Sequence, residues 1–288
     1  MLGELLALLS AALSGLSVVS VRRHSSGSTA FIISLVVTVT GSLLLWPFAL
    51  VEWRFSYLTL GGFGLFALSG ILGPGLVRLF YYKGLKDLGA SVNSSIFAIY
   101  PVYALLPAVF LLNEAVTILN LLGMAAIISG VIFIERCVEC KNGGPQTGWK
   151  GIITPVLGGL MLGGAIVFRK IALDISPAPI LGVAIAYLFS LVPYLLALIV
   201  FVRKKQNISL KTNTRLFWPG GIGLAISWLL AFYSLSLGQI SIIAPLQAVE
   251  PLFVVAFAYF YLKHTEIVST KLAASIIITV IGIILIII

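Results

Sequence analysis

Ten stretches of this chain are apolar for about the 20 residues that a helix needs to cross roughly 30 Å of hydrocarbon. They run over Leu2–Val21, Ala30–Val51, Leu58–Tyr82, Ser91–Leu112, Thr117–Ile134, Ile152–Ile171, Ala178–Val202, Phe217–Leu237, Ile240–Leu262 and Thr270–Ile288. Lipid offers no partner to backbone N–H and C=O groups, so each run must satisfy its own hydrogen bonds as a helix. The pattern therefore predicts an all-α integral membrane protein with ten transmembrane helices. Hydrophobic residues make up 60% of the chain and charged residues 9%, against about 45–50% and about 25% in soluble domains. The longest polar breaks, Glu135–Lys150 and Arg203–Arg215, are far shorter than a soluble domain.

The net charge of +9 does not indicate nucleic acid. The basic residues sit in short loops between apolar runs, and no basic stripe carries interleaved aromatics. Met1–Ser20 lacks a basic leader and carries Glu4, so it reads as the first transmembrane helix and not as a signal peptide.

The chain repeats itself. Ala90–Phe133 is echoed by Ile240–Leu285. A shift of 150 pairs Ser91 with Ser241, Ala98 with Ala248 and Pro101 with Pro251. A shift of 152 pairs Glu114 with Glu266, Val116 with Val268 and Gly130 with Gly282. The units are residues 1–135 and 151–288, joined by a linker at 136–150. Five helices per unit is an odd number, so the second unit enters the membrane from the opposite side. The two halves are then inverted five-helix repeats about an axis in the membrane plane.

Orientation is less direct. With the N-terminus cytoplasmic, only Arg54, Arg169 and Lys170 fall on the cytoplasmic side, and the other loop Lys and Arg fall outside. The positive-inside rule prefers the reverse, with both termini outside. Arg78 is the one basic residue read as lying deep in a helix.

Proline and glycine mark adapted helices. Gly73-Pro74-Gly75 interrupts the third run, and further prolines fall at 101, 107, 155, 193, 245 and 251. Each removes a backbone hydrogen bond. Packing explains most of them, but Pro101 and Pro251 recur at matched positions. Gly159 and Gly163 form a small-residue face suited to close helix contact.

One repeat reads Phe80-Tyr81-Tyr82-Lys83-Gly84-Leu85, Gly89-Ala90-Ser91, Pro101, Leu112-Asn113-Glu114, Gly123 and Gly130. The other reads Ala231-Phe232-Tyr233-Ser234-Leu235, Glu250-Pro251, Glu266 and Gly282. These residues resemble the EamA repeat of the drug/metabolite transporter superfamily, over nearly the whole chain and most strongly over 72–134 and 222–286. The resemblance implies a central cavity, transport of small metabolites, a multi-pass cell-membrane protein and cytoplasmic termini. That last implication conflicts with the loop charges. It does not indicate the substrate. Tyr100 stands where the other copy has Glu250, and the second copy is two residues longer at Lys263-His264-Thr265-Glu266.

Arg78 lies between Val77 and Leu79. A charge at the bilayer centre costs about 2.5–3.5 kcal/mol on insertion scales, so it should face protein or water as a cavity cation; the alternative is snorkelling to the headgroups beside Tyr81 and Tyr82. Glu250, before Pro251, is the candidate proton-coupling site; the alternative is capping of backbone freed by the kink. An Arg78–Glu250 pair across the axis is a further expectation. Glu114 and Glu266 sit at run boundaries, where each suits the N-terminal dipole of its own following helix. Candidate cavity residues are Arg78, Asn93, Tyr100, Trp228, Tyr233, Gln247 and Glu250, with Ser94 and Ser95 as further polar positions. Tyr103 reads as packing.

Cys137 and Cys140 form an isolated C-x-x-C, and Asn207-Ile208-Ser209 a sequon; neither carries weight alone. No phosphate-binding loop, metal-ligating cluster or cofactor motif is present in the sequence, which argues against ATP-driven pumping. The function read from these residues is a secondary transporter of small polar metabolites such as amino acids. It would work by alternating access, in the export direction, with protons as a candidate driving ion. The expected partners are a small-molecule substrate and the bilayer, no nucleic acid, and a monomeric or homodimeric state. The alternatives are an antiporter of organic anions or phosphorylated metabolites and, in another class, a lipid-modifying enzyme. The enzyme reading lacks support because His24 and His264 lie far apart in loops with no acidic cluster beside them.

Overall fold

The computed structural model describes residues 1–23, 30–52, 57–81, 96–139, 152–203, 214–261 and 270–288. Each apolar run of the sequence holds a helix. These are α1 (Leu2–Arg23), α2 (Ala30–Glu52), α3 (Leu60–Tyr81), α4 (Tyr100–Leu112), α5 (Ile118–Glu139) and α6 (Ile153–Ile175). They continue as α7 (Pro179–Phe189), α8 (Leu191–Arg203), α9 (Trp218–Leu237), α10 (Ile240–Gln247), α11 (Glu250–Tyr261) and α12 (Thr270–Ile287). The pieces α7 and α8 form one crossing, as do α10 and α11. Among the described residues 7 helical stretches are long and apolar enough to cross a membrane, and α4, α5 and α12 are shorter apolar helices in the remaining runs. The protein is an all-α, multi-pass membrane protein.

The packing repeats under exchange of the halves. α1 lies along α9 and crosses α10 and α11; α6 lies along α3 and crosses α4. α2 packs on α9, and its counterpart α7 packs on α3. Of the other contacts, α2 on α7 and α5 on α12 join an element to its own counterpart, and α4 on α10 joins two crossings that are counterparts. Contacts of that kind must straddle the two-fold axis.

Glycines fix the correspondence at atomic scale. A Cβ on Gly15 would lie 2.9 Å from the Phe253 Cβ and 3.0 Å from the Val254 backbone nitrogen. A Cβ on Gly163 would lie 2.8 Å from the Tyr103 Cβ and 2.9 Å from the Ala104 nitrogen. Tyr103 and Ala104 are the repeat mates of Phe253 and Val254, so Gly15 and Gly163 are mates as well. The expected Gly159–Gly163 face does allow close contact, and it is α4 that approaches it. Between α5 and α12, Gly123 meets the Gly282 carbonyl and Gly130 meets Thr279 and Ser275. Small residues are what lets helices approach in lipid, where van der Waals contact replaces the hydrophobic drive.

The matched prolines break matched helices. A turn at Ala98–Ile99 precedes Tyr100-Pro101, and a turn at Ala248–Val249 precedes Glu250-Pro251. At each, a short backbone bond closes the turn: Val102 N–H donates to Ile99 at 2.9 Å, and Leu252 N–H to Val249 at 2.9 Å. Proline at the start of the second piece has no N–H to lose there. The Gly73-Pro74-Gly75 segment behaves differently. It does not interrupt α3, which instead winds as a π-helix over Ile71–Val77. The Pro74 carbonyl accepts from the Tyr194 hydroxyl of α8 at 2.9 Å.

Candidate functional site

Arg78 is the first residue beyond the π-helical turn, which shifts the angular register of the rest of α3. Its Nη1 donates to the Thr38 hydroxyl at 3.0 Å, and Thr38 is fully buried in α2. The guanidinium therefore turns inward and does not snorkel. Glu250 opens α11, with the Ser14 hydroxyl of α1 bonded to its carboxylate and Arg78 within electrostatic reach. Tyr100 opens α4, and its hydroxyl crosses the axis to donate to the Ala244 carbonyl of α10 at 3.2 Å. The Gln247 amide donates to the Ser234 hydroxyl of α9 at 3.2 Å. Arg78, Trp228, Gln247 and Glu250 each keep partial exposure although helices of both halves surround them.

A residue that sequence reasoning places in a loop is at the centre of this group. Hydropathy sets Arg169 at the end of the sixth run, among the loop charges; in the structure α6 continues to Ile175 and Arg169 is 2% exposed. Its guanidinium carbon lies 4.5 Å from the centre of the Trp228 ring and 4.5 Å from that of Phe232. Trp228 in turn meets Tyr187 edge to face, centroids 6.1 Å apart. Tyr100 and Tyr187 both lie within the electrostatic reach of Arg169. Among the described residues, the guanidinium Nε and Nη2 have no hydrogen-bond partner. Cation–π contacts return about 0.5–2 kcal/mol each, whereas burying an ion costs several kcal/mol. Among the described residues no carboxylate pairs with this charge.

The sequence did carry a signal. Lys170 and Asp174 stand four apart and pair at 3.1 Å, the mark of a helix that runs on past residue 171. Arg169, one residue earlier, is rotated about 100° to the inner face.

Glu114 also does something other than expected. It does not serve the helix that follows it. Its two carboxylate oxygens accept from the Ile240 and Ser241 amides at 2.7 and 2.9 Å, so it caps α10 in the other half. Asn113, in the left-handed conformation at φ 52°, turns the chain to aim it. Tyr233 is half-buried on α9 but sits about 140° around the helix from Trp228, off the face that Trp228 shares with Phe232. Tyr103 packs on Gly159 and Gly163, as expected. Asn93, Ser94, Ser95, Cys140, Glu266, both histidines and the sequon lie outside the described residues.

The geometry is thus a polar group of both halves gathered where matched helices break at the pseudo-two-fold axis. The family model of EamA-like transporters matches residues 1–136 and 149–288. The chain belongs to the EamA-like transporter family. The match falls twice, once on each set of five crossings, and the members of this family are transporters. A solved crystal structure similar to this EamA chain covers 97% of it and 94% of its own chain, with a TM-score of 0.76 at 13% sequence identity. At that identity the likeness is one of fold. No curated protein sequence matches the chain.

Proposed function

We propose that this EamA-family protein is a secondary transporter that exports a small polar metabolite, such as an amino acid or a related compound. Its two inverted halves would rock about the axis to open the central group to each side in turn. One observation carries this reading: Arg78, Tyr100, Arg169 and Glu250, from four different crossings, converge beside the breaks of α4 and of α10–α11. Discontinuous helices with charged side chains at the repeat interface are the usual setting of a transport site. Glu250 is the candidate proton carrier, as an interior carboxylate next to a hydroxyl and a cation. Purified protein in liposomes should show saturable counterflow of a preloaded amino acid. Arg78→Ala should abolish it, and Glu250→Gln should flatten its dependence on pH. Equal flux and an unchanged pH profile in both variants would remove these residues from the mechanism. An absence of any saturable flux would favour an enzyme or scaffold instead.

A further inference from the structure

The structure assigns Arg169 as the anion-binding residue of the central site, there to receive a single carboxylate from the transported molecule; this rests on the transporter reading above. Three observations converge on it. The first is that the two unpartnered nitrogens, Nε and Nη2, share one edge of the guanidinium. That edge presents two parallel N–H groups, which matches the two oxygens of a carboxylate. Trp228 and Phe232 lie against the guanidinium, which leaves its edge, closed to solvent in this conformation, as the part a ligand would bond when the site opens.

The second is a further donor. Arg78 comes near the Tyr187 oxygen, and among the described residues the buried Tyr187 hydroxyl has no acceptor for its proton. Tyr187 lies against Trp228, the same ring that flanks Arg169. The interior thus offers N–H and O–H groups in want of an acceptor.

The third is charge. Arg78 and Arg169 are permanently cationic. Among the described residues, the acidic group within electrostatic reach of this region is Glu250, on which Arg78 acts. While Glu250 is ionised, one positive charge is left over, at Arg169. A monoanion balances it and a phosphate dianion overshoots. The rings beside it favour a carboxylate joined to an apolar or aromatic body, and the carbons of such a body would lie against Trp228 and Phe232.

Three probes test this on the purified full-length protein in detergent: benzoate, its neutral counterpart benzamide, and inorganic phosphate, each titrated by thermal shift. Benzoate should raise the melting temperature saturably while benzamide and phosphate do not. Arg169→Met should weaken benzoate binding at least tenfold, yet melt without ligand at the same or a higher temperature, because it removes an uncompensated buried charge. Tyr187→Phe should weaken benzoate several-fold, and it decides the matter if Arg169→Met fails to fold. The assignment is overturned if wild type shows no benzoate shift, if benzamide matches benzoate, if phosphate binds better through Arg169, or if Arg169→Met binds benzoate within twofold of wild type. Counterflow is measured separately. Benzoate binding without any flux would sink the transporter reading and keep the anion site; flux of neutral compounds without benzoate binding would do the opposite.

Discussion

At residue scale the repeat is most informative where it is broken. Tyr100 and Glu250 occupy mate positions, as do Arg78 and Trp228, and all four lie in the central group. The Gly15–Gly163 correspondence makes Val21 the mate of Arg169, so a third asymmetric position carries charge on one side only. Shared residues build the scaffold, and departures from the repeat supply its chemistry. The shared glycines are correspondingly intolerant. A side chain at Gly163 would meet backbone and Cβ atoms of α4 within 3 Å, and neither can rotate away. Gly163→Leu should lower stability by about 1–3 kcal/mol through overpacking, read as an earlier melt in detergent. An unchanged melt would mean that α4 does not press on α6 as described.

At element scale the breaks just before α4 and between α10 and α11 are the feature to test. Alanine at Pro101 or Pro251 returns an N–H that can bond to the carbonyl four residues back and rejoin the pieces. Either variant should keep or raise the melting temperature and reduce flux severalfold; full flux would show that the breaks are incidental. The cap on α10 belongs to the same scale. Losing a charged N-cap costs about 0.5–2 kcal/mol. Glu114→Ala should therefore speed hydrogen exchange at the Ile240 and Ser241 amides, while exchange inside α6 stays as it was. Protection that survives the substitution would deny the cross-half bond. The cap ties the loop after α4 to the start of the neighbouring crossing, its own counterpart. It is therefore a link that must move as one body with both.

For the whole molecule, ten crossings place both termini on the same side of the membrane. Reporter fusions at each end should give the same topology signal, and opposite signals would contradict the fold. The contact between α5 and α12 is the simplest test of the axis. A Cβ on Gly123 would lie 2.8 Å from the Gly282 carbonyl, and a Cβ on Gly282 would lie 2.7 Å from the Gly123 carbonyl. Gly123→Leu and Gly282→Leu should each destabilise by about 1–3 kcal/mol. The double variant should cost clearly less than their sum, because both separate the same pair of helices. Strict additivity would mean that the two sites do not share a contact.

The sequence by itself determined the number of crossings, the inversion of the halves and the position of the matched breaks. Hydropathy, parity and proline are local properties or simple counts, and they survive any arrangement of the helices. Only the tertiary structure decided that Gly73-Pro74-Gly75 widens α3 instead of ending it, that Glu114 serves the opposite half, and that Arg169 is interior. Each depends on which face of a helix meets which distant neighbour. In a chain whose helices are apolar nearly all round, hydropathy marks where a helix is but not which way it faces. Packing settles that, and with it which charge is held among aromatic rings and which is left at the surface.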